Sequence, residues 1–184
     1  MQDFEISCNS SIRRAVGLNG TICPGSGKAD VRQIPKMGEN QVTLKKQLTK
    51  VPITPDNAVA FYCHMFTVAP QLRTFFKGAE TIEPKDIPAS ERFQKQGQRL
   101  LMSINVLVEV WHNHMVFDAY VRDLVDKHRR FKGMEFAHYE AFFGVFAGYL
   151  EKMTGPASTE EQAAWAAIKH DFLESVQRHL PLKK

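Results

Sequence analysis

The chain is predicted to be all-α, and three observations carry that reading. From Met37 onward, apolar residues recur with the period of an α-helix. No stretch alternates apolar and polar residues as a half-buried strand does. The breaks between stripes carry proline, glycine and capping residues where helices start and stop.

The elements follow in order. Over residues 41–51, Leu44, Leu48 and Val51 fall at i, i+4 and i+7 on one face. Pro52 ends this helix, because its ring removes a donor and clashes with the preceding turn. Thr54 is placed to cap the next helix, with Pro55 at its first position. Ala58, Phe61, Tyr62, Met65 and Phe66 then share a face. Pro70 opens a short helix running to Phe76, and residues 77–89 form a loop with one helical turn. Residues 89–111 form the most regular helix, capped by Ser90, with Phe93, Gln96, Gly97, Leu100, Ile104, Leu107 and Trp111 along its stripe. A helix over 115–131 carries Phe117, Val121, Leu124 and His128 and is broken by Gly133. Another over 135–153 is stopped by Gly155-Pro156. Ser158 and Glu161 make a capping box for the last helix, which ends near His179. About seven or eight helices of unequal length disfavour a simple four-helix bundle.

The 184 residues suit one domain with a tail. Residues 1–36 hold four of the eleven glycines and no regular apolar period. They are read as a disordered N-terminal extension, and residues 37–184 as the folded domain. Gly25-Ser26-Gly27-Lys28 resembles a phosphate loop only superficially, since Ala29 stands where a Mg²⁺-binding Ser or Thr is needed. The net charge of +4 is spread along the chain, which indicates a solvated surface and no nucleic-acid footprint. No segment has the apolar length of a membrane span. The acidic start lacks a secretory signal, and Cys8, Cys23 and Cys63 lack metal-site spacing. Both point to a reduced, cytoplasmic chain. Gly-x-Ser-x-Gly, HExxH and paired CxxC motifs are absent, so the chain does not read as an enzyme.

The candidate functional residues are polar groups on apolar stripes. His128 continues the stripe of Phe117, Val121 and Leu124, so its ring points inward, and a buried imidazole must find a partner. It is the candidate metal ligand, and a hydrogen-bonded core histidine is the plain alternative. Gln96 lies between Phe93 and Leu100, and its alternative is a border position with its head in water. Gly97 sacrifices helix propensity, which suggests close packing against a backbone. Tyr62 and Phe76 read singly as aromatic core. His64 falls on the far side of Tyr62's helix and is expected to face outward. His112-Asn113-His114, with Asp118 one turn beyond His114, is read as a surface turn. Cys63 is read as a core filler.

Three segments together resemble the globin family. Phe61 to Phe76, with Pro70 and Phe76 six residues apart, is similar to the second and third globin helices. Phe93 to Leu100 resembles the distal helix, with Gln96 in place of the common histidine. Leu124 to His128 resembles the proximal helix. Phe75-Phe76-Lys77-Gly78-Ala79-Glu80, Ala141-Phe142-Phe143 and Gly148-Tyr149-Leu150-Glu151 are particularly like nematode-type intracellular globins. The resemblance covers residues 38–180.

The resemblance implies a globin fold around haem b (iron protoporphyrin IX). His128 would be the axial ligand and Phe76 would pack on the macrocycle. Gln96 and Tyr62 would form the distal pair, with Leu100 lining the pocket. Arg99, Lys127 and Arg130 are the candidates to meet a haem propionate, with the choice among them open. The implied ligands are O2, CO and NO, and the implied role is O2 storage or transport with high affinity and slow release. The alternative role is redox work, electron transfer or gas sensing through a partner. A homodimer is left open.

Overall fold

A computed structural model describes residues 37–180, and the expected disordered extension over residues 1–36 lies outside the described residues. Among the described residues there are six α-helices: α1 (Met37–Leu48), α2 (Pro55–Val68), α3 (Glu91–Val110), α4 (His114–His128), α5 (Phe136–Thr154) and α6 (Thr159–His179). Two short 3-10 helices, Pro70–Phe75 and Pro84–Asp86, join α2 to α3. No strand occurs among the described residues, and no helix is long and apolar enough to cross a membrane.

Helix ends follow local chemistry. The Thr54 side chain accepts from Asn57 N at 3.2 Å and Pro55 occupies the first position of α2. Ser158 and Glu161 form the expected capping box on α6, with bonds of 3.2 and 2.9 Å. Three expectations need correction. Helix α1 starts at Met37 and stops at Leu48, so Val51 is buried beyond its end. Ser90 stands at the start of α3 but makes no capping bond. Helix α4 ends at His128 rather than 131, and Gly133 at φ +83° turns the chain toward α5.

The core is aromatic. Phe61 meets Tyr149 edge-on at 5.4 Å, and Tyr62, Phe66, Phe76 and Phe93 form one cluster with centroids 4.9 to 5.9 Å apart. The polar ends of the large rings are satisfied. Trp111 Nε1 donates to Asp171 at 2.7 Å, Trp165 Nε1 to Gln47 at 2.7 Å, and the Tyr149 hydroxyl to the Asn57 carbonyl at 2.9 Å. Helices α2 and α3 approach each other closely at Gly97. A Cβ placed there would lie 2.6 Å from the Ala58 carbonyl oxygen and 2.7 Å from Ala58 Cβ. The cost in helix propensity read at Gly97 therefore has its reason in a backbone-to-backbone approach.

His64 does not stand free on the surface as expected. It is half-buried, with its Nε2 3.0 Å from where a Cβ on Gly148 would be. Burial, followed by the nearby Lys152 charge, lowers its pKa. The His112-Asn113-His114 turn is exposed as expected. His112 lies 3.1 Å from the Gln41 amide, and Asn113 caps α4 by accepting from Val116 N at 3.3 Å. Cys63 is half-buried, its thiol 3.2 Å from the Pro84 carbonyl oxygen.

Asp118 on α4 accepts from the Ser175 hydroxyl at 2.7 Å, from Arg178 Nη2 at 2.7 Å and from His179 Nε2 at 3.0 Å, all on α6. The Ser175 bond, then the Arg178 bond, holds its carboxyl well below the usual carboxylate range. A depressed folded-state pKa adds stability that is present above the unfolded pKa and lost as pH falls through the folded one. Asp118→Asn is therefore expected to lower the melting temperature at neutral pH. It should also flatten the dependence of melting temperature on pH below about pH 4, where unfolded carboxylates titrate. Thermal melts across that range check both effects.

Candidate functional site

A cavity of about 380 Å³ opens among α2, the Pro70–Phe75 turn, α3, α4 and α5. All six residues singled out as cofactor-binding line it: Tyr62, Phe76, Gln96, Arg99, Leu100 and His128. They arrive from four separate parts of the chain, so their meeting is a property of the fold. Most of the remaining wall is apolar and aromatic, including Met65, Ile104, Leu124 and Phe142.

His128 is the last residue of α4 and is half-buried. Its Nδ1 lies 2.8 Å from the Leu124 carbonyl oxygen one turn back. A carbonyl can only accept, so Nδ1 carries the proton. Nε2 then keeps its lone pair, as a metal-ligating imidazole requires. The ring is steadied by Phe131 and Tyr139, at 5.7 and 5.9 Å between centroids.

Tyr62 and Gln96 come from α2 and α3, either side of the Gly97–Ala58 crossing. Tyr62 is 2% exposed. Burial pushes its hydroxyl far above the ordinary phenol range, offset in part by the Arg92 charge and a hydrogen bond with Gln96. The phenol therefore stays protonated and remains a donor at any physiological pH. Gln96 is half-buried, and its amide nitrogen supplies a second donor. Phe76 meets Tyr62 edge-on at 5.5 Å. Leu100 is half-buried one turn beyond Gln96. The three basic candidates, Arg99, Lys127 and Arg130, are all exposed at the cavity's edge.

Sequence reasoning missed several lining residues: Ser103, Phe131, Met134 and His138. His138 is the most informative of them. The Glu135 backbone N–H donates to its Nδ1 at 3.0 Å, which leaves the proton on Nε2. The two cavity histidines thus hold opposite tautomers, and only His128 offers an Nε2 lone pair. Phe75 stands edge-on to His138 at 5.0 Å. Phe131 and Met134 belong to a connecting segment, where no periodicity marks the inward side. The acidic N-cap position of Glu135, three residues before His138, was the one available signal.

An apolar, aromatic-walled cavity with one neutral imidazole nitrogen and cations at its edge fits the demands of haem. The ring system wants an apolar slot, the iron wants that lone pair, and the carboxylates want the cations.

The comparisons agree. The Globin family model matches residues 59–175. The chain is 45% identical over 124 residues to a globin-like protein of Caenorhabditis briggsae, covering 67% of this chain and 76% of that protein. It is 37% identical over 120 residues to a myoglobin of Nippostrongylus brasiliensis, covering 65% and 77%. A solved structure of a globin-like protein of Caenorhabditis elegans superposes with a TM-score of 0.75 at 39% identity, covering 79% of this chain and 94% of that one. With a family model spanning more than half its length, and its helices laid out as in that solved relative, the chain belongs to the globin family.

Proposed function

We propose that this globin binds haem b in the cavity and holds O2 reversibly, with slow release, through Tyr62 and Gln96. The observation that carries the reading is a convergence on one apolar cavity. His128, its Nε2 lone pair unspent, shares the cavity with a buried phenol and a half-buried amide, both donors. When bound, haem supplies the iron that takes up O2, CO or NO. His128 would supply the nitrogen that holds the iron, kept in one tautomer by the Leu124 carbonyl. Phe76 and Leu100 pack against the ring system and keep water out. Arg99, with Lys127 and Arg130 beside it, offers positive charge to the carboxylates. Tyr62 and Gln96 would offer hydrogen-bond donors to a gas molecule that carries partial negative charge. An amide is a poor iron ligand, so position 96 leaves that side open to gas. The globin domain is residues 37–184, with residues 1–36 an extension to it. A cytoplasmic O2 store or carrier is the role these properties suit.

Hydrogen bonds to charged groups contribute about 1.5–3 kcal/mol. Each ~1.4 kcal/mol is about tenfold in affinity. Replacing Tyr62 by Phe is therefore expected to speed O2 release by roughly ten- to a hundredfold. Stopped-flow displacement of O2 by CO measures this directly. An O2 off-rate equal to that of the unaltered protein would sink the proposal.

A further inference from the structure

Helix α4 carries His128 on a narrow apolar footing. Only Phe117, Val121 and Val125 of its fifteen residues are fully buried. What it lacks in apolar anchorage it gains in polar bonds, and these converge on the end of α6. Near the start of α4, Asp118 takes three donors from α6: Ser175, Arg178 and His179. Just past the end of α4, Arg129 Nη2 donates to the His179 carbonyl oxygen at 3.2 Å. Arg129 Nε is also paired with Asp126 at 3.1 Å, which fixes the direction of its side chain. His179 therefore grips α4 at two places, with its ring at Asp118 and its carbonyl at Arg129, the residue next to His128. The two residues that are gripped stand about 16 Å apart along the helix axis, at 1.5 Å per residue, and their side chains converge on His179. Bonds to a carboxylate or from a guanidinium are the stronger kind, and the two together resist both sliding and tilting of α4.

The bond from His128 Nδ1 to Leu124 makes this grip matter for the site. It ties the imidazole to α4's own backbone, so the ring cannot adjust independently. Any displacement of α4 passes undamped to Nε2.

We propose that Asp118 and Arg129, acting through the last turn of α6, form a strap whose role is to position His128 for the iron. Asp118 and Arg129 are positioning residues, and the assignment rests on His128 being the axial ligand. Releasing the strap lets α4 drift, which weakens the hold on haem and alters the iron–imidazole bond while the fold persists.

The test uses the full chain reconstituted with haem. Resonance Raman of the ferrous, gas-free protein reads the iron–imidazole stretching band, and transfer of haem to an excess of an acceptor apoprotein reads retention. Asp118→Ala and Arg129→Gln are expected to move the band and to speed haem transfer by about tenfold, as loss of outer partners does at metal sites. Asp118→Asn retains an acceptor for Ser175 and should fall between them and the unaltered protein. Tyr149→Phe removes a hydrogen bond between α5 and α2, neither of which carries a strap residue. It should lower the melting temperature and leave the band in place. If Asp118→Ala does not fold, the exposed Arg129→Gln carries the test. Band and transfer rate both unmoved in a folded strap variant overturn the strap alone, provided the unaltered protein's band vanishes in His128→Ala. A band that survives His128→Ala overturns the ligand reading and the strap together.

Discussion

His128→Ala is expected to abolish stable haem retention. At metal sites the loss of an outer-shell partner alone costs about 10–100-fold in affinity, and loss of the ligand itself should exceed that range. His138 does not take over. Its Nδ1 is occupied by the Glu135 N–H and its proton sits on Nε2, so ligation would cost both a tautomer change and a helix cap. The unaltered chain should show an intense Soret band on reconstitution, with ferric, ferrous and oxygenated forms distinguishable in the visible region. The variant should lose haem rapidly to an acceptor apoprotein, and added imidazole, filling the space of the lost ring, should slow that loss. Retention equal to that of the unaltered protein would remove His128 from the site.

Gly97→Val is expected to be the most damaging single change away from the cavity wall. Its Cβ would fall 2.6 Å from a backbone oxygen, which cannot rotate away as a side chain could. Overpacking of this kind costs about 1–3 kcal/mol, or roughly 2–12 °C of melting temperature at 2–4 °C per kcal/mol in a chain of this size. The loss should be accompanied by faster O2 release, because prising α2 from α3 separates Tyr62 from Gln96. Gly144 supplies the contrast. It lies within α5 with nothing within 4 Å of where its Cβ would be. Gly144→Ala should therefore stabilise by about 0.5–1 kcal/mol through helix propensity alone. Parallel thermal melts test both substitutions. Equal effects of the two would show that the contact at Ala58 is unimportant.

Much of this is legible in the sequence, and the limits fall where physics places them. Periodicity placed the helices because each buries one stripe. Thr54, Ser158 and Glu161 announced their helix starts because a cap is a local bargain between neighbours. Ser90 has the right chemistry for a cap yet makes no such bond. Of the six proposed cavity residues, Tyr62, Gln96 and His128 stood out as polar groups on apolar stripes, whereas the roles of Phe76, Leu100 and Arg99 came from the resemblance to globins. Phe131 and Met134 were missed, because the direction of a connecting segment depends on what it packs against, and His138, in the first turn of α5, stands on no apolar stripe that marks it as inward. Asp118 looked like a spare carboxylate near two surface histidines. Its partners lie fifty-seven to sixty-one residues away on α6, and no local pattern connects them. His64 erred for the same reason: its angle around α2 was right, but α5 lies over that side too.

The Gly97 crossing also bears on how a gas molecule travels in and out. Tyr62 and Gln96 belong to helices packed closely against each other, backbone to backbone at Gly97, so α2 and α3 cannot part as a double door without breaking that contact. On the proposed function, passage of gas through that wall would fall to rotations of individual side chains, with the half-buried Gln96 as the latch. Such rotations run on picoseconds to nanoseconds, far faster than helix movements. A protein arranged this way can admit its ligand quickly and still release it slowly, because the passage and the grip are set by different bonds.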